Sequence, residues 1–106
     1  MIVVVTKFLT RFGIRGLTLF PFVLVGRKAD TKDVVLLNHE RIHLRQQLEL
    51  LVLPFYVWYV VELLARRLGC ATWHEAYRQI CFEREAYENE ENLDFLMSRL
   101  FWNFIR

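Results

Sequence analysis

A long stretch without glycine or proline constrains this fold most: neither residue occurs between positions 27 and 53. Apolar residues recur there every three or four positions, which is the spacing of an α-helix with buried faces. The helix is predicted to start near Asp30 or Thr31, where Asp30 followed by Asp33 resembles a cap, and to end or kink at Pro54. Because apolar residues occupy two of its sides, we predict that it is the central helix of the fold.

Within this helix, residues 39–43 spell His-Glu-Arg-Ile-His. Positions i and i+4 lie on one face of a helix, so His39 and His43 can offer two imidazole nitrogens to one metal ion. Glu40 lies about 100° further round the helix, where its carboxylate can accept a proton from an activated water. This is the HExxH arrangement of zinc hydrolases. It predicts a Zn²⁺ site, with Glu40 as the general base.

A pentapeptide motif also arises by chance, and the histidines could be solvated or core residues of an ordinary helix. Two observations favour metal binding. Only three histidines occur in the chain, and two of them fall in the motif. They also share a face with Val35, Leu36 and Ile42, where an unpaired polar group is costly.

The segments flanking the central helix predict an α+β fold. Residues 2–6 and 17–25 are rich in β-branched and aromatic residues and favour strands, and Pro21 places the second of these at a sheet edge. After Pro54, residues 55–68 continue as helix to a stop at Gly69. We therefore predict a single domain over residues 1–106, a short N-terminal antiparallel sheet or hairpin followed by about three helices.

The third predicted helix supplies the missing metal ligand. It opens with a capping box at residues 72–75 and runs to about Met97 or Leu100. Glu83 falls on its apolar stripe, whereas Glu85 lies about 200° away on the side predicted to be solvated. A buried carboxylate needs a partner, and an ion held by the two histidines would provide one.

Other partners for Glu83 remain open at this stage. Arg41 and Arg66 are candidates, because buried acids commonly pair with arginine. Glu90 shares the stripe but lies about 10.5 Å further along it, too far to serve the same ion easily.

Composition limits the classes of partner. A 55% apolar and 15% aromatic chain is not disordered and exceeds the usual apolar content of a small soluble domain. The net charge of +2, without runs of Lys or Arg, argues against nucleic acid. Cys70 and Cys81 lack CxxC spacing and are predicted to be two buried thiols.

Membrane contact stays open as an alternative. The N-terminus lacks the pattern of a signal peptide. Residues 50–61 are apolar, but twelve helical residues span only about 18 Å against a hydrocarbon core of about 30 Å. They are predicted to be buried core or, second, a helix docked at a membrane surface. A cytoplasmic or membrane-associated location follows.

The residues at 39–43 and 83–87, Glu-Arg-Glu-Ala-Tyr, resemble the two motifs of the gluzincin metallopeptidases. The likeness is nearest to the small single-domain minigluzincins and to membrane-associated relatives whose second motif is E-x-x-A-D. It implies a zincin-like fold and a zinc site formed by His39, His43 and Glu83, with Glu40 as general base and acid. Tyr87 stands where that motif has an aspartate, which usually contacts a ligand histidine.

The resemblance further implies that strand 17–25 aligns an extended peptide above the cleft. Tyr87, Tyr77 and His74 are candidates for the donor that stabilises the oxyanion. The resulting hypothesis is a zinc-dependent peptidase acting on a peptide or protein. Two alternatives remain: a zinc-stabilised or inactive scaffold, and a small membrane-docked interaction protein whose HExxH sequence is fortuitous.

Overall fold

The N-terminal part of the chain forms a three-stranded mixed sheet. A computed structural model describes residues 1–105. Strands β1 (Ile2–Val5), β2 (Gly16–Leu19) and β3 (Phe22–Val25) are ordered β1-β3-β2. β3 pairs antiparallel with β2 but parallel with β1. The predicted antiparallel sheet is therefore only partly correct, because the 3-10 helix at Lys7–Phe12 carries the chain from β1 past β3 before β2 begins.

The single strand predicted over residues 17–25 is in fact a hairpin. Pro21 lies in the turn between β2 and β3, where its missing N–H costs no ladder hydrogen bond. The prediction of an edge strand is thus correct for β2 and wrong for β3, which is central. Thr18, Val23 and Val25 on one face of the sheet are buried.

The central helix is shorter than predicted. A 3-10 helix at Lys28–Lys32 precedes α1 (Val34–Leu50), whose N-cap Asp33 accepts from the backbone N–H of Leu36 at 3.1 Å. The helix stops at Leu51, which adopts a φ of 70°, so the prediction that it reaches Pro54 is wrong. Pro54 instead occupies the first turn of α2 (Val52–Arg67), where no intrahelical donor is needed.

The predicted third helix is divided. Thr72 caps α3 (Trp73–Gln79) as expected, accepting from Glu75 N–H at 3.2 Å. The chain then breaks at Ile80 before α4 (Cys81–Asn89), because the buried Ile80 adopts an extended conformation and a carboxylate of α2, that of Glu62, accepts from the Cys81 N–H. A short helix, α5 (Phe95–Ser98), and a 3-10 helix at Asn103–Ile105 complete the fold.

An aromatic core joins α2, α4 and the C-terminal segment. Phe55, Phe82 and Phe104 are buried there, with Phe82 4.5 Å from Phe55 and 4.8 Å from Phe104 between ring centroids. The prediction that residues 50–61 are buried core is only partly correct, because Phe55 alone is buried there and half of the segment is exposed. Cys81 is also buried, whereas Cys70 is only partly so, and both are free thiols.

The outward side of α2 is apolar as well. Leu53, Val57 and Val61 are more than half exposed along it. Within residues 1–105, no single helix has the length and hydropathy of a membrane span; α1 and α2 pass that test only together, with a bend of 110° between them.

Candidate metal centre

Two histidines and a glutamate meet between α1 and α4. His39, His43 and Glu83 are all buried. His39 Nε2 and His43 Nε2 lie 3.2 Å apart, and Glu83 Oε1 lies 3.1 Å from the first and 2.9 Å from the second. The structure thus brings together the three side chains that were predicted as ligands.

The spacing of these three atoms suits a small divalent cation. Four ligands at about 2.0–2.1 Å from a tetrahedral ion would lie about 3.3 Å from one another. The observed separations of 2.9 to 3.2 Å are slightly tighter than this. Two imidazoles and one carboxylate form a donor set that binds zinc with one position left for water or substrate. The group could hold a metal ion, and its identity as a zinc site stays a prediction.

Both imidazole rings are oriented by a contact at their other nitrogen. His39 Nδ1 lies 2.7 Å from Glu90 Oε2, and His43 Nδ1 lies 2.8 Å from Gln46 Oε1. Acceptors at Nδ1 leave the Nε2 lone pairs for an ion. Helical spacing predicts that Glu90 shares a stripe with Glu83, but it predicts neither the contact of Glu90 with His39 nor that of Gln46 with His43.

Glu83 and His43 shift the pKa of each other in opposite directions. Burial alone would raise the pKa of Glu83, but the charge of His43 and hydrogen bonds from both histidines and from Tyr59 hold it well below its usual range. Burial alone would lower the pKa of His43, yet the Glu83 carboxylate raises it to about 9. Tyr59 donates to Glu83 Oε2 at 2.7 Å. This residue of α2 was not predicted, because only the fold places it there.

The alternative prediction that Glu83 pairs with Arg41 or Arg66 is wrong. Arg66 pairs with Glu62 on its own helix at 3.1 Å, and Arg41 is exposed. The expectation that Glu85 is solvated is also wrong. Glu85 is buried and forms an ion pair with Arg99 at 2.7 Å, because the chain beyond α5 turns back over α4.

The predicted general base is fixed between α1 and the edge of the sheet. Glu40 is buried, and its Oε2 accepts from the Thr18 hydroxyl at 2.5 Å. Gly16 leaves room for the carboxylate: a Cβ there would lie 2.6 Å from Glu40 Oε1. Gly16, Thr18 and Glu40 line the same cavity as the metal-binding group, with a volume of about 640 Å³.

A pair of tyrosines lines another side of this cavity. The Tyr87 ring packs edge-on against His39 at 4.6 Å, and its hydroxyl lies 2.7 Å from that of Tyr77. Burial raises the pKa of Tyr77 and, less strongly, that of Tyr87. Both hydroxyls therefore keep their protons near neutral pH. His74, the third predicted donor, also lines the cavity.

Part of the outer edge of β2 is already paired. The Gln47 amide accepts from Phe20 N–H at 2.8 Å and donates to the Thr18 carbonyl at 2.8 Å, and the Tyr56 hydroxyl also donates to that carbonyl. Alternation along the strand turns the backbone groups of Gly16 to the same outer edge. Gln47 and Tyr56 thus occupy the outer edge of the sheet at Thr18 and Phe20, which leaves the edge free only nearer to Gly16.

Comparison with protein-family models, with curated proteins and with solved structures found no match to this chain.

Proposed function

We propose that this chain is a zinc-dependent peptidase whose metal is held by His39, His43 and Glu83. The observation that supports the proposal best is the common cavity of these side chains and Glu40. Two imidazoles and a carboxylate alone would also suit a structural site. A fourth buried side chain, a carboxylate that does not belong to the ligand group, is what a hydrolytic centre additionally requires.

The proposed mechanism uses Glu40 as a proton carrier. When bound, zinc would polarise the scissile carbonyl and lower the pKa of a water at its open position. Glu40 accepts the proton of the attacking water and returns it to the leaving amine, while Thr18 holds the carboxylate in place. The hydroxyls of Tyr87 and Tyr77 are the candidates for donating to the developing oxyanion.

The substrate is proposed to be a peptide that pairs with the edge of β2. Main-chain hydrogen bonding to a free strand edge aligns an extended peptide without regard to its side chains. Gly16 offers such groups beside Glu40, whereas Gln47 and Tyr56 occupy the edge at Thr18. We therefore propose that the peptide pairs with the strand around Gly16.

The test is metal quantitation combined with peptide hydrolysis. Wild type is expected to bind about one zinc ion per chain, and His39→Ala and Glu83→Ala to lose it. Glu40→Gln should keep the zinc and lose turnover by about 100-fold to 10,000-fold. Glu91→Gln, at an exposed position, is the matched control and should match wild type in both assays. A wild type that stays free of metal in excess zinc would end the proposal.

The occupied part of the β2 edge favours a second candidate function, a zinc-stabilised scaffold that hydrolyses no peptide. Gln47 and Tyr56 occupy backbone groups that a longer substrate would need. Peptide hydrolysis by the wild type separates the two functions, because both predict that Glu40→Gln keeps its zinc. A scaffold carrying Glu40→Gln would keep its zinc and its stability, and its wild type would hydrolyse no peptide from a mixed library.

The outward side of α2 favours a further property, association with a membrane surface. Leu53, Val57 and Val61 are exposed along it, and Arg66 and Arg67 lie in its last turn. An apolar face next to cations suits the interface of an anionic bilayer. Wild type should sediment with anionic lipid vesicles, and Val57→Lys with Val61→Lys should remain in solution. Equal sedimentation of both proteins would reject this property.

A further inference from the structure

We propose that Arg99, in the segment after α5, is a positioning residue for the metal centre. It acts through Glu85 and Gln46, and the side chain that it finally orients is His43. The inference rests on the metal site proposed above and adds a dependence of that site on the C-terminal segment.

The amide of Gln46 can be satisfied in one orientation only. Its Nε2 donates to the Phe82 carbonyl at 3.1 Å and to Glu85 Oε1 at 2.8 Å, and its side chain is fully buried. The reversed amide would set its oxygen against two acceptors, which is costly in a buried site. The Gln46 oxygen must therefore face His43 Nδ1, at 2.8 Å.

The orientation of the Gln46 amide determines which ring nitrogen of His43 carries a proton. An oxygen opposite Nδ1 can only accept, so the Nδ1 of His43 must carry a proton. The nitrogen that is left to bind an ion through its lone pair is therefore Nε2. The Gln46 amide thus keeps His43 in the tautomer that binds metal.

Arg99 fixes the carboxylate on which this arrangement depends. Its Nε donates to Glu85 Oε2 at 2.7 Å and its Nη2 to Glu85 Oε1 at 3.0 Å, a two-point contact that sets the carboxylate plane. The Arg99 side chain has 0% exposure and also pairs with Glu49 at 2.8 Å. Asn103 donates to Glu85 Oε2 at 2.8 Å. Removing this two-point contact should allow the Glu85 carboxylate to rotate, and the Gln46 amide would then lose its fixed orientation.

The experiment measures zinc affinity by competition with a chelator. Gln46→Leu is expected to weaken zinc binding by about 10-fold to 100-fold, the usual effect of losing an outer contact of a ligand histidine. Gln47→Leu is the matched control, since this neighbouring glutamine is equally buried but bonds to β2, and its zinc affinity should stay within about 3-fold of wild type.

Arg99→Lys keeps the positive charge but loses the two-point contact with Glu85, and it should weaken zinc binding by at least about 5-fold. In a Gln46→Leu background the same change should have no further effect, because Arg99 acts through Gln46. If Arg99→Lys does not fold, Glu85→Gln takes its place, since its side chain has the same size and is expected to give the same loss. A second readout is exchange of the His43 Nδ1 proton with solvent in zinc-loaded protein, which should be slow in wild type and fast in Gln46→Leu.

The outcomes separate the two proposals. A wild type that binds no zinc would overturn the metal site and this inference together. A wild type that binds zinc, with unchanged affinity in Gln46→Leu and in the Arg99 or Glu85 variant, would overturn the positioning role alone. Independent losses that multiply in the double variant would show that Arg99 does not act through Gln46.

Discussion

Replacing Gly16 with alanine tests the contact between β2 and the proposed general base. A Cβ at position 16 would lie 2.6 Å from Oε1 of Glu40, 3.1 Å from its Cδ and 3.4 Å from its Cγ. Gly16 has an ordinary φ, so the collision alone determines the effect. Since ordinary contact begins at 3.4 Å, the oxygen must retreat by about 0.8 Å.

This displacement fixes the expected magnitudes. Because the two carboxylate oxygens move together, the hydrogen bond from Thr18 to Oε2, now 2.5 Å, would lengthen by at most about 0.8 Å, to about 3.3 Å, which is beyond the O–H···O range. Overpacking costs about 1–3 kcal/mol, and we expect about 1 kcal/mol because a flexible side-chain end can move. A catalytic group misplaced by about 1 Å loses about 100-fold in rate. Zinc affinity should not change, because the three atoms nearest to a Cβ at position 16 all belong to Glu40, which is not one of the proposed ligands.

Chemical denaturation of four proteins is the assay: wild type, Gly16→Ala, Glu40→Ala and the double variant. The cost of Gly16→Ala should disappear in the Glu40→Ala background, which gives a coupling free energy of about 1 kcal/mol. Gly69→Ala is the matched control, because the nearest atom to a Cβ there is the Arg66 carbonyl oxygen at 3.8 Å. An equal cost of Gly16→Ala with and without the Glu40 carboxylate would refute the reasoning.

Three further predictions concern the surroundings of the site. Tyr59→Phe removes the donor to Glu83 and should lower the free energy of unfolding by about 1–2 kcal/mol, measured by denaturant titration of the metal-free protein. Phe104→Ala should cost about 3–5 kcal/mol in the same assay, since this ring fills the aromatic core. Burial alone would raise the pKa of Glu62, but hydrogen bonds from Cys81, Trp58 and Arg66 lower it. The stabilising effect of this carboxylate is therefore present above its ordinary pKa of 4.5 and is lost as the pH falls through the lowered pKa. The difference in unfolding free energy between wild type and Glu62→Gln should therefore shrink on acidification, and a constant difference from pH 7 to about pH 3 would contradict this.

The features that depend only on residues close in the sequence were predicted correctly. The side-chain cap of Thr72 and the strand at β1 follow from residues within one turn or one strand. The common face of His39 and His43 likewise follows from helical spacing alone. The burial of Glu83 could be predicted because its own helix presents it among apolar residues.

The failures depend on residues distant in the sequence. Glu85 is buried because Arg99 reaches it from beyond α5, and no helical periodicity contains that contact. The break at Ile80 depends on Glu62, which supplies the acceptor for the first N–H of α4 from another helix. The parallel pairing of β1 depends on the path of the chain around β3. Helical periodicity predicts which side chains share a face of a helix, but not which distant residues pack against that face.

The balance of charge around the histidines argues for a cation rather than a simple ion pair. Three carboxylates, those of Glu40, Glu83 and Glu90, lie around two imidazoles in one cavity. Ion pairs of Glu83 with His43 and of Glu90 with His39 would still leave the buried Glu40 carboxylate without a cation. Uncompensated buried charge is strongly destabilising. A divalent ion bound where the Nε2 atoms and Glu83 Oε1 converge would supply positive charge to this cavity.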